Sequence, residues 1–216
     1  ALFTGYYEPE LPGARRRTGR FTVPLYRRPP DLPNGRPWAT RAEIEGEGLL
    51  AGRGLEIAWL ADPVDKFFLQ VQGSGRIRLQ DGGLLRVGYG GKNGHEYRSI
   101  GREMVRRGLM AEHEVSADRI RAWVRANPEE GRDLLNHNRS YVFFREVTEV
   151  APDEGPLGAM RRPLTAGRSL AVDPGHVPLG APVWIEKEGR APLRRLMVAQ
   201  DTGSAIKGAQ RADIFY

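Results

Sequence analysis

At 216 residues the chain is long enough to bury a sizeable core, as one large or two small domains. Hydrophobic residues make up 40% and charged residues 28%, which fits a soluble globular protein, and no apolar run approaches the ~20 residues of a membrane span. The absence of cysteine excludes disulfides, thiolate metal sites and cysteine nucleophiles, while a net charge of +6 favours an anionic partner: nucleic acid, a membrane surface or an acidic polymer.

Leu2 to Glu8 reads as a strand by its aromatic and β-branched content, ended by Pro9 and Pro12-Gly13. Residues 13–38 are rich in Arg, Pro and Gly and read as loops and extended segments, with an apolar patch from Val23 to Tyr26. A short helix is expected over 41–50 and a strand from Glu56 to Leu60. Asp62-Pro63 starts another short helix over about 63–69, with Val64, Phe67 and Phe68 inward. Gln70 to Leu79 reads as a strand with Gly73-Ser74-Gly75 in its middle, where glycine marks a bulge or a close approach to a ligand. Asp81-Gly82-Gly83 turns it into a second strand, Leu84 to Tyr89. Gly90 to Gly94 reads as a loop.

A helix over 97–107 follows, with Ile100, Met104 and Val105 inward and Gly108 as its stop. Ser116 caps a helix bearing Ile120, Trp123 and Val124; Pro128 stops it and opens another carrying Leu134-Leu135. Ser140 to Val147 is a strong strand. Four more are expected at 163–165, 169–173, 181–186 and 194–200, separated by turns at Pro174-Gly175, Pro178-Leu179-Gly180 and Gly189. That spacing is the pattern of a small antiparallel or barrel-like β domain. The first strand and the last third read as all-β and the middle as mixed.

Several motifs fail. His95, His113, His137 and His176 show no metal-ligand spacing, and no metal or organic cofactor is suggested. Gly203 to Gly208 lacks the order of a phosphate loop, and Gly73-Ser74-Gly75 is not a nucleophile elbow. The arginines, such as Arg15 to Arg17 and Arg194-Arg195, are dispersed without interleaved aromatics, and no nucleic-acid module is visible. A polyanionic glycan bearing peptide carboxylates suits the charge equally well.

The stretch that carries chemistry is the last one, Met197 to Tyr216. An apolar strand breaks into a loop of small residues and resumes at Ile214, with Asp201 and Asp213 where strand gives way to loop. A carboxylate there can be partly buried and rigidly held, and burial raises its pKa toward the range of a general acid. On position alone, the reading of both aspartates as turn formers at strand ends is the stronger one.

Gln200-Asp201-Thr202-Gly203-Ser204-Ala205-Ile206-Lys207-Gly208 with Arg211-Ala212-Asp213 resembles the C-terminal signature of the MltA family of lytic murein transglycosylases. The resemblance runs along nearly the whole chain: Phe3-Thr4-Gly5-Tyr6-Tyr7-Glu8-Pro9, Pro24-Leu25-Tyr26, Asp62-Pro63-Val64-Asp65, Gln70-Val71-Gln72-Gly73-Ser74-Gly75, Gly90-Gly91-Lys92-Asn93-Gly94-His95, Ser140-Tyr141-Val142-Phe143-Phe144 and Pro163-Leu164-Thr165. It implies a mainly β fold, a double-psi β-barrel domain with a smaller β-rich domain inserted into it and a few short helices. The barrel would comprise residues 1–10 and 141–216, and the insert, 11–140, would form the other wall of a glycan groove.

The activity so implied is cleavage of the β-1,4 bond between N-acetylmuramic acid and N-acetylglucosamine of peptidoglycan, leaving 1,6-anhydro ends. Motif alignment makes Asp213 the single general acid/base, with Asp201 holding the loop or keeping the proton on Asp213. Candidate glycan contacts are Thr4, Gly5, Tyr6, Gln72, Gly73, Ser74, Gly75, Lys92, Asn93, Tyr97, Ser99 and Lys207. For Tyr6 and Tyr7 core packing is the equal alternative, and for Lys92 and Asn93 a turn between strand and helix. The implied setting is the periplasm, with peptidoglycan strands as partner, no nucleic acid, and other cell-wall enzymes left open. The chain starts at Ala1 in strand-like sequence, so a removed N-terminal segment with room for a signal or an outer-membrane lipid anchor is expected. Family members continue past Tyr216, which implies a further barrel strand. Two rivals remain: a hydrolytic muramidase using the Asp pair with water, and a peptidoglycan-binding module without turnover.

Overall fold

The computed structural model describes residues 1–188 and 192–216, so the turn expected at Gly189 lies outside the described residues. In chain order come β1 (Leu2–Tyr6), β2 (Glu10–Ala14), β3 (Val23–Tyr26), α1 (Arg41–Gly46), β4 (Glu56–Leu60), α2 (Pro63–Gln72), β5 (Gly75–Leu79), β6 (Leu84–Lys92), α3 (Ile100–Arg106), α4 (Ala117–Ala126), α5 (Pro128–His137), β7 (Val142–Glu146), β8 (Ser169–Val172), β9 (Pro182–Lys187), β10 (Leu193–Thr202) and β11 (Arg211–Phe215). The fold is mainly β: a double-psi β-barrel unit, an inserted β-rich unit and a few short helices. The barrel unit comprises Ala1–Pro9 and Val147–Tyr216, and the insert is Glu10–Glu146. The resemblance implies a smaller insert; in this chain the inserted unit is the longer of the two.

The inserted unit is a six-stranded sheet in the order β3-β4-β2-β5-β6-β7. Period-two alternation puts Ile77, Leu79, Leu85 and Val87 on one face, where they bury against Leu60 and Phe144. Each such side chain removed from water contributes about 1.5–3 kcal/mol. The helices bury Val64, Phe67, Ile100, Met104, Ile120, Val124 and Leu134 in a second core, at the three-to-four spacing of their sequence. Asp62, Ser99 and Ser116 each cap a helix with a side-chain oxygen. Arg41, only 2% exposed, donates to the carbonyls of Asn138 and Ser140 and to Gln70 Oε1, and lies over the rings of Phe67 and Tyr141.

Four expectations change. Gln70 to Leu79 is not one strand: α2 runs to Gln72, and Gly73, at φ +84°, ends it in the left-handed conformation with its N–H on Leu69 O. Gly90 to Lys92 is not loop but the end of β6, bent by a register shift between Tyr89 and Gly91 against β7. β2 forms across the expected stop at Pro12, because β4 pairs only from Gly13 onward and leaves Pro12 a ladder on one side. Residues 163–165 supply only an isolated bridge, Leu157 to Pro163. In addition, β7 pairs with β6 in the inserted unit, so the chain returns to the barrel unit at Val147.

The barrel unit holds a five-stranded mixed sheet in the order β1-β11-β8-β10-β9. β1 runs parallel to β11 and β8 parallel to β10; β8–β11 and β9–β10 are antiparallel. Leu170, Val172, Ile185, Met197, Ala199, Ala212 and Ile214 form its core. Burial of Ala212 and Ile214 fixes the face of β11, and their neighbour Asp213 therefore points to the opposite one.

Candidate active site

That opposite face carries the candidate site. Residues paired across a sheet point to the same side. Thr4 of β1 is the register partner of Asp213, and Asp213 is in turn the partner of Ala171 on β8. Asp201 of β10 also registers on Ala171, because the ladder slips by one residue between Ala199 and Asp201. The bulge at Gln200 re-aims the strand and brings Asp201 into the row. Thr4, Asp213, Ala171 and Asp201 thus stand in line on four adjacent strands, with the smallest side chain between the two aspartates. Strand spacing puts their backbones roughly 10 Å apart. Tyr6, two residues after Thr4, shares the face; its ring meets Phe215 edge-on at 5.3 Å between centroids.

The two carboxyl groups are held differently. Asp201 accepts three hydrogen bonds: Tyr6 Oη donates to Oδ2 at 2.9 Å, and the amides of Ala159 and Thr202 donate to Oδ1, each at 2.9 Å. Among the described residues, Asp213 has one donor, Thr4 Oγ1, at 2.6 Å from Oδ1. Burial pushes both pKa values above the ordinary carboxylate range. For Asp201 the three donors act against burial and the charge of Asp213 adds to it; for Asp213 the Thr4 hydroxyl and Arg211 act against it. Two such carboxyls titrate as a pair, and the second to ionise is lifted by the first. Burial and Asp201 also push the Tyr6 phenol up, so it remains a neutral donor.

Gly5 lies under the Tyr216 ring, where a Cβ would come within 2.9 Å of Cε2. Lys207 is exposed, on a loop held by Asp173, whose Oδ2 accepts Gly208 N–H at 2.9 Å. Those amide bonds, with Lys207 and His176, hold the Asp173 carboxyl below its usual range.

The remaining candidates belong to the inserted unit. Gln72 ends α2, Gly73 caps it, Ser74 is half-buried and Gly75 opens β5. Lys92 ends β6. Asn93 is 1% exposed and its amide is committed to backbone: Nδ2 donates to Ala39 O and Arg139 O, and Oδ1 accepts Tyr141 N–H. It ties together the segments that lead into α1 and β7, with both side-chain polar atoms engaged. Ser99 caps α3, and burial raises the pKa of the half-buried Tyr97. Among the described residues no group of three His, Cys, Asp or Glu is placed to hold a metal ion, and no helix is long and apolar enough to cross a membrane.

Sequence reasoning did not single out Ala159, Ala171 or Asp173. Asp173 had a local signal, since Asp-Pro-Gly marks a turn that a carboxylate can close. Ala159 and Ala171 had none, since their place depends on register and on a loop folding back.

The chain matches the family model described as the MltA specific insert domain over residues 2–145, and that of the 3D domain over 168–216. It is 40% identical over 224 residues to the membrane-bound lytic murein transglycosylase A of Escherichia coli K12, covering 99% of this chain and 58% of that protein. Among solved structures, a membrane-bound lytic murein transglycosylase of Agrobacterium tumefaciens superposes with a TM-score of 0.89 at 39% identity, over 99% of this chain and 66% of that one. Escherichia coli MltA with bound chitohexaose gives 0.84 at 38% identity, over 99% and 64%. These relatives are lytic murein transglycosylases of one fold. The chain belongs to the MltA family, and it spans about 58% of the length of the curated relative from Escherichia coli.

Proposed function

We propose that the chain carries the catalytic aspartate of a peptidoglycan lytic transglycosylase, a lyase acting on the bond between N-acetylmuramic acid and N-acetylglucosamine. Asp213, protonated, gives its proton to the glycosidic oxygen as the C1–O bond breaks. The C6 hydroxyl of the same muramic acid then attacks C1 of an oxocarbenium-like intermediate and returns its proton to the Asp213 carboxylate. The product ends in a 1,6-anhydro ring, and the acid is restored.

The observation that carries this reading is the unequal holding of the two carboxyls. A hydrolase uses a second carboxylate to activate water or to act as nucleophile. Asp201 has both oxygens engaged by three donors, an arrangement suited to a fixed negative charge and poorly suited to a free base. Asp213, with one hydroxyl donor and a raised pKa, is the group suited to carry a proton. One mobile proton on one carboxyl is what the intramolecular C6 attack requires.

The substrate is taken to be peptidoglycan strands; an MltA with bound chitohexaose supports a glycan ligand of this class. Relatives named as membrane-bound support action at a membrane, and the periplasm and outer membrane are the setting proposed for it. The test is mass spectrometry of muropeptides released from purified peptidoglycan. The wild-type chain is expected to release anhydromuropeptides and Asp213→Asn none. Reducing-end products would replace the reading with a hydrolase, and glycan binding without any product would replace it with a binding module.

A further inference from the structure

We propose that Tyr6 is a positioning residue for the proton chemistry: its hydroxyl, together with the Ala159 and Thr202 amides, holds Asp201 as the fixed anion in the row beside Asp213. The proposal rests on the reading of Asp213 as the proton carrier and assigns Tyr6 a different place from sugar contact. Tyr6 is partly buried, its ring is set edge-on against Phe215, and its hydroxyl is spent on Asp201 Oδ2. Tyr7, by contrast, is 45% exposed.

A tight loop completes the seat. Gly158 N–H bonds Arg162 O, Arg161 N–H returns to Gly158 O, and Met160 N–H bonds Gln200 O. This ties residues 157–163 to the bulge of β10 and aims the Ala159 amide at Asp201. A Cβ at Gly158 would lie 2.6 Å from Gln200 O, so the approach needs glycine. Arg161 takes a left-handed conformation at φ +55°, the one non-glycine residue to do so among those described. Backbone strain of that kind persists where the surroundings over-determine it. Here it belongs to the loop that supplies one of the three donors.

Among the described residues, the charged and titratable groups set against the pair are these. Asp213 meets the Thr4 hydroxyl from β1 and Arg211 on its own strand, and its charge raises the pKa of Asp201 on β10, an interaction that acts on both partners. Asp201 meets the Tyr6 phenol from β1, the two amides and Asp213. Removing the phenol hydroxyl makes ionised Asp201 less stable. Asp201 then takes up a proton more readily, the like charge weakens, and Asp213 gives up its proton at lower pH.

The experiment is a carbon-13 titration of the aspartate carboxyls beside a pH profile of kcat/KM for anhydromuropeptide release, in wild type and Tyr6→Phe. The phenyl ring keeps any stacking surface and removes only the donor. The expected result is a higher Asp201 midpoint, a lower Asp213 midpoint and an alkaline limb displaced downward by up to about one pH unit, the size of a like-charge interaction across two strand spacings. KM on the acidic plateau should be unchanged. Unmoved midpoints and an unmoved limb would overturn the proposal, as would an effect confined to KM. Site-specific 3-fluorotyrosine at position 6, a stronger donor of the same shape, must move the midpoints and the limb the opposite way; a shift in the same direction as Tyr6→Phe overturns it. If the wild-type chain releases no anhydro product, the functional reading fails while the titration still decides the role of Tyr6.

Discussion

At the scale of single residues, Asp213 and Asp201 differ in the donors around them rather than in chemistry. Thr4 and Tyr6, two residues apart on β1, each serve a different carboxyl. Their substitutions therefore have opposite signs. Thr4→Val removes a bond that favours ionised Asp213, so the alkaline limb of the pH profile should move up by a few tenths of a unit, where Tyr6→Phe moves it down. Thr4→Ser should restore it. Stability follows the same linkage. The folded pKa of Asp213 is raised, so the unfolded chain ionises more readily, and stability grows as pH falls through the folded value. Asp213→Asn is thus expected to raise the melting temperature at pH 7, modestly because solvent screens a partly exposed carboxylate, with the gain vanishing below the ordinary carboxylate range.

At the scale of elements, the starts of α2, α4 and α5 were legible, while the stop of α2 and the strand partners were not. Asp62 and Ser116 cap from within two or three residues, and Pro63 and Pro128 open helices by their own fixed φ, whereas the cap at Ser99 was not read from the sequence, which put that helix's start at 97. β2 and the bend of β6 depend on partners far away in the chain. Gly90 shows the difference: a Cβ there would meet Phe144 C and O at 2.8 Å, a contact set by β7. Gly73 instead needs glycine for its φ of +84°, with open space around it. Thermal denaturation should separate them. Gly73→Ala should cost about 1 kcal/mol, and Gly90→Ala more, since backbone must shift. Arg161→Gly should relieve strain and stabilise by roughly 1 kcal/mol, a gain that would argue for selection of the loop's shape over stability.

At the scale of the whole molecule, the net charge of +6 favours an anionic polymer. Sedimentation with intact peptidoglycan should weaken as salt rises from ~50 to ~500 mM, where the Debye length falls below about 5 Å. Glycan strands stripped of their stem peptides should show little of that dependence. Equal salt sensitivity with both would mean that the charge does not read peptide carboxylates. The chain covers about 58% of the Escherichia coli relative, so the same assay on that relative gives the comparison for a longer family member.

The sequence by itself determined the family, the mainly β class and the helix caps at Asp62 and Ser116, and it singled out the two aspartates as candidates, because motifs and caps are local and each is written within a few residues. The tertiary structure alone decided which aspartate is held by three donors and which by one. That distinction needs β1 and β11 paired from opposite ends of the chain, a slip in the β8–β10 register, and a strained loop brought against β10. Register and loop closure are set by packing across long sequence separations, so no local pattern announces them.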